Sequence, residues 1–429
     1  MREVAEHLDT PQMRHRRYYE PHDLAGQAIQ RPTTPLGLSV VASNRKPRTP
    51  NGPMPLSDIR VLDFSWVIAG PTTTRYLAAM GAEVIKVEAP GRGDPGRATE
   101  LHTVLGQAKK SIALDLKKPQ AIEIVRALAA KSDILIENFA TGVMDRLGLG
   151  AEALKAVNPD LIYISASGMG RTGPDSHAVA YGTLLQCFSG FAGLNRHPEI
   201  APRVGFAWLD PMCGLMLAFT AAAALWHRQR EGGVARVDFS MIEAMLWTMA
   251  EPLVATQLGS APKPMGNAST RHAPHGAWRC VGDDDWIGIA VRSDEEWRAL
   301  CTLVPGLSGM AALDLGQRRD AGQAIDAALT AWAGARSASV AAEALLKAGI
   351  PAAALARHAD LVQSPHLAAR AFWDKHGAGV LPGLPWRASF GRTIGPAPDL
   401  GADADHVLAD VLGLPPERIV ELRKSGALG

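Results

Sequence analysis

Ile59-Arg-Val-Leu-Asp-Phe64 is followed by Ala69-Gly-Pro71, a run of small and apolar residues over 72–80, and Ala82-Glu-Val-Ile-Lys-Val-Glu88. A short apolar strand, a Gly-containing turn, a helical run and a second short apolar strand make one βαβ unit. The pattern recurs in Ser111-Ile-Ala-Leu-Asp-Leu116, Asp133-Ile-Leu-Ile-Glu-Asn138, Leu161-Ile-Tyr-Ile-Ser-Ala166 and Ala235-Arg-Val-Asp-Phe-Ser240. Helices are predicted over 119–130, 151–157 and 241–258. Strands this apolar belong to a parallel sheet covered on both faces, so the fold class is α/β. In open sheets of this class ligands bind beyond the carboxyl ends of the strands. Gly91-Arg-Gly-Asp94 and Gly168-Met-Gly170 follow two of the strands. Turns of this kind can offer backbone N–H groups to phosphate, but neither is a dinucleotide or Walker fingerprint, and each equally fits a purely steric need for glycine.

Length and charge narrow the function. The 429 residues suffice for two or three domains. Forty-four basic against 43 acidic side chains provide no field for nucleic acid or an acidic membrane. Cys187, Cys213, Cys280 and Cys301 are far apart and form no metal-ligand pair, which predicts reduced thiols, no metal and a cytoplasmic setting. No run reads as long enough for a membrane span, and the start lacks the apolar region of a signal peptide. Glu3, Glu6 and Asp9 argue against an organelle transit peptide.

The chemistry is sought in Arg203-Val-Gly-Phe-Ala-Trp-Leu-Asp210-Pro-Met-Cys-Gly214. An Ala-rich apolar helix is predicted over 215–225, with Pro211 as a good first residue and Asp210 at the N-cap. Asp210 is then either a plain cap or a nucleophile kept ionised by helix-end dipoles. In the later part of the chain, 286–291 reads as a strand, 294–303, 324–333 and 340–348 as helices, and 350–356 as a strand or turn. Together these make an α+β unit of modest size. Trp278, Trp286 and Trp297 are expected in its core, and 261–274 as a Pro-rich linker. Two short helices are expected within 402–427.

The first fifty-odd residues are rich in Pro and Arg, as in a disordered basic arm. They also repeat a later stretch. Asp9-Thr-Pro-Gln-Met-Arg-His-Arg-Arg-Tyr-Tyr-Glu20 aligns with Gln363-Ser-Pro-His-Leu-Ala-Ala-Arg-Ala-Phe-Trp-Asp374. This sets Pro11 on Pro365, Arg16 on Arg370, and Tyr18-Tyr19 on Phe372-Trp373. Each copy leads through a Gly/Pro-rich stretch to a short apolar strand candidate. The repetition points to the tail of a preceding, similar unit, as in a tandem protein.

An ordered set of segments resembles the family III CoA-transferases, the carnitine and bile-acid CoA-transferase family. It comprises Leu62-Asp-Phe64 with Ala69-Gly-Pro71; Gly81-Ala-Glu-Val-Ile-Lys-Val-Glu88; Gly93-Asp-Pro95; Leu114-Asp-Leu-Lys117; Glu137-Asn-Phe139; and Arg146-Leu-Gly148. Asn158-Pro-Asp-Leu-Ile-Tyr163, Ser167-Gly-Met-Gly-Arg-Thr-Gly-Pro174, Arg203-Val-Gly205 before Asp210, and Gly266-Asn267 with Ala273-Pro-His-Gly276 complete it. The resemblance implies a Rossmann-like large domain built from both chain ends, with a smaller α+β domain inserted. It implies an interlocked dimer: a homodimer, or a heteromer with a related subunit. The boundaries it suggests are an N-terminal extension over 1–55, a CoA-binding domain over 56–260 and 385–429, and linkers with the small domain over 261–384.

By the same resemblance, Asp210 matches the nucleophile of CoA transfer from an acyl-CoA to a carboxylic acid. Leu114, Lys117, Asn138, Phe139 and Arg146 match the coenzyme A site, and Tyr181 an aromatic residue beside the thioester. Three positions depart from the pattern. Ile68 stands where some members carry Gln, Leu209 where Gly is expected, and Leu258-Gly-Ser-Ala-Pro262 offers one glycine where some members have a glycine-run loop. Three other readings stay open: an α-methyl-acyl-CoA racemase, a non-catalytic subunit of a two-protein transferase, and a plain nucleotide-binding domain. The racemase requires a His partnering the Asp, and Ala180-Tyr181-Gly182 supplies none.

Overall fold

The computed structural model describes residues 3–43 and 51–429. The chain forms two compact units, one of residues 1–192, 203–262 and 372–429, the other of 193–202 and 263–371.

The first unit begins with α1 (Pro11–Arg16) and the strands β1 (Tyr19–Leu24), β2 (Gln27–Pro32) and β3 (Leu36–Ala42). Next come β4 (Arg60–Asp63), α2 (Ala69–Ala79), β5 (Glu83–Glu88), β6 (Lys110–Ala113), α3 (Pro119–Ala130), β7 (Ile134–Glu137) and β8 (Ile162–Ser167). The chain continues through α4 (Gly182–Phe188), α5 (Leu209–Glu231), β9 (Gly233–Ser240), α6 (Met241–Thr248) and α7 (Ala250–Gln257). Seven strands form one sheet in the order β3-β9-β8-β7-β4-β5-β6. From β9 to β6 every pairing is parallel. Starting at β4, the chain winds outward through β5 and β6, then returns to lay β7, β8 and β9 on the other side. That reversal defines a doubly wound sheet and sets its ligand crevice between the carboxyl ends of β4 and β7. Leu62, Ile85, Ile112 and Leu135 are fully buried under α3, whose Ala121, Val125 and Leu128 face them.

Residues 3–43 are not a free arm. β3 pairs antiparallel with β9 from Leu36 opposite Phe239 to Ala42 opposite Gly233, closing one edge of the sheet. Arg16 is sunk between two carboxylates, 2.6 Å from Asp238 and in a closer pair with Glu243. Gln12 Nε2 donates to the carbonyls of Met169 (2.7 Å) and Thr172 (2.8 Å), and the Tyr18 hydroxyl donates to the Glu243 carbonyl (2.7 Å). Residues 1–2 and 44–50 of the expected extension lie outside the described residues.

Two helices differ from expectation. The helix expected to start at Pro211, with its apolar run over 215–225, is α5, 23 residues long and started two residues earlier at Leu209. With a mean hydropathy of 1.5 and half of its apolar window buried, α5 is long and apolar enough to span a membrane by length and composition. This corrects the expectation that no run reaches that length; a core helix passes the same test. The helix expected over 241–258 is broken at Met249. Pro252 has no N–H for the Thr248 carbonyl and its ring crowds that oxygen, so the helix restarts.

The second unit carries β10 (His275–Arg279) and β11 (Trp286–Ala290), then α8 (Asp294–Leu303), α9 (Gly322–Ala333), α10 (Ala338–Lys347), β12 (Ala352–Ala354) and α11 (Pro365–Ala369). Its sheet is β10-β11-β12, antiparallel throughout. Trp278 and Trp297 lie in its core with Leu300, Leu329 and Leu345; Trp286 is half-buried. Residues 372–384, expected with this unit, belong to the first. There β13 (Trp373–His376) and β14 (Gly379–Pro382) form a hairpin, and Arg75 of α2 donates to the Gly383 carbonyl (3.1 Å). The return ends in a turn of π-helix (His406–Val411) and α12 (Pro416–Lys424), which add Val407, Leu408, Ile419 and Leu422 to the core.

Candidate active site

Asp210 is the second residue of α5, not its cap; the N-cap is Trp208, with no side-chain cap bond. The helix starts early because Leu209 is fully buried, so the apolar side chain at the unexpected position anchors the first turn. Pro211 then falls third, still within the turn where a missing N–H costs nothing. Asp210 Oδ2 accepts the backbone N–H of Gly182 at 3.1 Å. Gly182 is the first residue of α4, so the carboxylate faces the N-terminal end of a second helix as well as its own. Burial pushes the Asp210 carboxyl above its ordinary range, against the Gly182 N–H and its own backbone N–H, which pull it down. Desolvation outweighs the two backbone donors, so the carboxyl is more basic than an exposed aspartate.

Gly182 is sterically required. A Cβ there would lie 2.3 Å from Asp210 Oδ2 and 2.8 Å from its Cγ. One turn further along α5, a Cβ on Gly214 would strike Thr72 at 2.5 Å and the Ala69 carbonyl at 2.7 Å. That glycine lets α5 lie close on α2, and it brings the carboxylate's helix against the turn carrying Ile68, the N-cap of α2. Tyr181 is the N-cap residue of α4, beside Gly182, and is 61% exposed, so it is not a core residue.

The remaining expected residues sit at the carboxyl ends of the parallel strands. Asn138 directly follows β7 and crosses the switch point: its Oδ1 accepts the Trp66 N–H at 2.8 Å, and its Nδ2 donates to the Trp66 carbonyl at 2.9 Å. Both amide groups are committed to holding the loop after β4. Phe139 meets Trp66 edge to face, with centroids 5.2 Å apart, and Arg92 lies over the Trp66 ring at 5.3 Å. Leu114 follows β6 but is fully buried and bridges to Leu428, so only its backbone can border a ligand. Lys117 and Arg146 are exposed, and neither side chain has a hydrogen bond or ion pair among the described residues. Asp210 is brought together with Gly182, beside Tyr181, and Asn138 and Phe139 with Trp66; Leu114 belongs to the core cluster against which Phe139 packs.

Beneath the switch-point loop lies a buried ionic network. Lys109 Nζ donates to Asp63 Oδ2 (3.1 Å), Thr74 Oγ1 (2.6 Å) and the Pro71 carbonyl (3.0 Å), and both charged side chains are fully buried. Burial brings the Lys109 ammonium down to about 8, against the pull of Asp63. Lys86 ties Asp94 to the Ser65 carbonyl, at 2.9 and 2.7 Å, and Asp94 accepts the Val67 N–H at 2.9 Å. These bonds fix the backbone of 65–71 from below. Sequence reading missed this network, Trp66 and Gly182; nothing in Lys109-Lys110-Ser111 marks which lysine is buried. A cleft of about 670 Å³ in the first unit lies elsewhere: it is lined by Arg16, Thr33, Glu137, Arg171 and Asp238, and not by Asp210.

The family model described as CoA-transferase family III matches residues 56–404. An acetyl-CoA:oxalate CoA-transferase of Acetobacter aceti is 34% identical over 80% of this chain and 91% of its own length. The succinyl-CoA–L-malate CoA-transferase alpha subunit of Chloroflexus aurantiacus is 32% identical over 88% of this chain and 93% of its own. The crystal structure of a CAIB/BAIF family protein from Brucella suis superposes with a TM-score of 0.74 at 30% identity, covering 83% of this chain and 99% of that one. With a doubly wound sheet and an aspartate at the start of α5, the chain belongs to family III of the CoA-transferases, enzymes acting on acyl-CoA and carboxylate substrates.

Proposed function

We propose that Asp210 carries the transfer as a covalent acyl and CoA acceptor. The observation that carries this is its placement: a partly buried carboxylate with no ion-pair partner among the described residues, held by the Gly182 N–H and its own backbone N–H at the mouth of two helices. Raised basicity makes a carboxylate a better nucleophile once ionised. Its oxygen attacks the donor thioester carbonyl, forming a mixed anhydride and expelling CoA thiolate. The thiolate attacks the aspartyl carbonyl of that anhydride, giving aspartyl-CoA and releasing the donor acid. The acceptor carboxylate then attacks the aspartyl thioester, regenerating an anhydride and thiolate. Attack of the thiolate on the acceptor carbonyl gives the new acyl-CoA and frees Asp210. The Gly182 N–H, already aimed at the carboxylate, supports the charge on oxygen in each tetrahedral state.

Coenzyme A is assigned to the crevice at the switch point. Lys117 and Arg146, free of other partners, pair with its phosphates. Phe139, with Trp66 and Arg92 beside it, offers the adenine an aromatic surface, and the Leu114 backbone and Asn138 shape the wall. The acids are carboxylates of the kind named for the relatives, with Ile68 removing one amide from the acyl pocket and favouring a less polar chain. Assembly with a second chain of the same fold is supported by Leu215, Phe219 and Trp226, all exposed and within about 40° of one another around α5. A cytoplasmic setting fits four cysteines of which none is placed to pair with another.

The test is intact-mass measurement after incubation with acyl-CoA. A CoA adduct on the peptide bearing Asp210, lost in Asp210→Ala, is the expected result. A racemase would instead exchange the α-proton in deuterated water without any adduct.

A further inference from the structure

The two sequence copies adopt one local structure. Thr10 and Ser364 each cap a helix that begins with proline, accepting the N–H of Met13 (3.2 Å) and Leu367 (3.4 Å). A left-handed residue follows each helix, Arg17 as the C-cap at φ 52° and Ala371, one residue past the C-cap Arg370, at φ 49°. An edge-to-face aromatic pair follows, Tyr18 with Tyr19 and Phe372 with Trp373, both with centroids 4.9 Å apart. Then comes an antiparallel hairpin in which the second aromatic residue faces a proline, Tyr19 opposite Pro32 and Trp373 opposite Pro382. Closing bonds match too: Thr33 N–H to the Tyr18 carbonyl (2.9 Å), and Gly383 N–H to the Phe372 carbonyl (2.8 Å).

The copies differ in what covers them. In α1, Gln12 and Met13 are buried, and Arg16 fills an acidic socket made by Asp238 near the end of β9 and Glu243 in the first turn of α6. In α11, no residue is buried; His366 and Arg370, the counterparts of Gln12 and Arg16, face solvent. The second copy keeps the geometry and the arginine of a docking element without a socket.

We propose that α11 docks through Arg370 into the acidic socket of a second, related chain, and not into a second copy of this one. The socket stands on β9 and the start of α6, core elements of the first unit. In this chain it is filled in cis by α1, so an identical partner has no vacancy to offer. The occupant is a family III chain with paired carboxylates at these two positions and no segment seated on them. Charge complementarity and the worked precedent of Arg16 define the contact. This deepens the assembly reading given above and is independent of the chemistry assigned to Asp210, because its readout is association.

Sedimentation velocity at micromolar concentration tests it, with a socket-opened form of this chain as the probe. The intact chain should sediment identically with and without Arg370→Glu, whose site is exposed and outside the core. Opening the socket, by Arg16→Glu or by deleting residues 1–43, should add a species in which α11 of one molecule enters the vacated socket of another. Arg370→Glu should weaken that species at least tenfold, with circular dichroism confirming that each variant is folded. Two results overturn the proposal: an intact-chain dimer that Arg370→Glu dissociates, or a folded, socket-opened chain that gains no Arg370-dependent association. The first arm needs only a surface variant, so it stands even if neither socket-opened form folds.

Discussion

Gly182→Ala isolates the geometry around the nucleophile. The new Cβ would lie 2.3 Å from Asp210 Oδ2, where ordinary contact requires more than 3.4 Å. The carboxylate must retreat by about 1 Å, the distance needed to restore normal van der Waals separation. A 1 Å misplacement of a reacting group costs about 10²-fold in rate. The Gly182 N–H bond of 3.1 Å is lost with it, removing a contact to a charged group worth about 1.5–3 kcal/mol. Together these place kcat about 10²- to 10³-fold below the parent. Stability should change far less: overpacking costs about 1–3 kcal/mol, and alanine recovers about 0.5–1 kcal/mol over glycine in a helix. Because the hydrogen bond pulls the Asp210 carboxyl down, its loss should also move the acid limb of kcat/KM to higher pH. Steady-state transfer, with intact mass for the aspartyl-CoA adduct, reads both effects. A folded Gly182→Ala protein with parental kcat would refute the placement of Asp210 as nucleophile.

Three further outcomes follow from the charges. Asp210→Asn should abolish transfer and the adduct while raising the melting temperature at neutral pH. A carboxyl whose folded value is raised by burial costs stability above its unfolded value, so the gain should vanish in acid, where both proteins carry a neutral side chain. Lys109→Ala leaves Asp63 buried beside an empty position and should cost about 3–5 kcal/mol in urea unfolding; a loss below 1 kcal/mol would show that the network is dispensable. Glu83 is partly buried, which raises its carboxyl, but Lys110, Arg60 and His406 outweigh this and hold it down at about 2. Its contribution is full above the ordinary carboxylate value and is lost as pH falls towards 2, and Glu83→Gln should flatten the stability profile across that window by roughly 2 kcal/mol, allowing for solvent screening.

The parallel strands were legible because strands buried on both faces must be apolar throughout, as in Ile134–Glu137 and Ile162–Ser167. Asp210 was legible as a special residue but not in its setting. Its partner Gly182 is 28 positions away, and the burial that raises its carboxyl is a property of packing. The start of α5 was misplaced because Asp-Pro is a strong local cap signal; the fully buried Leu209 overrode it. The bonds of the Asn138 amide to Trp66 are a pairing across the switch point that no spacing in the sequence encodes. The docking of the N-terminal copy on Asp238 and Glu243 was equally hidden, since more than 200 residues separate the partners.

The pairing of β3 with β9 has a consequence for synthesis. The first of these strands leaves the ribosome roughly 200 residues before the second, a wait of about 10–40 s at ordinary elongation rates. Throughout that interval Leu36, Leu38, Val40 and Val41 have no ladder to join. The nascent segment is therefore a standing target for holdase chaperones, and slow codons between the two strands would lengthen its exposure rather than help it fold.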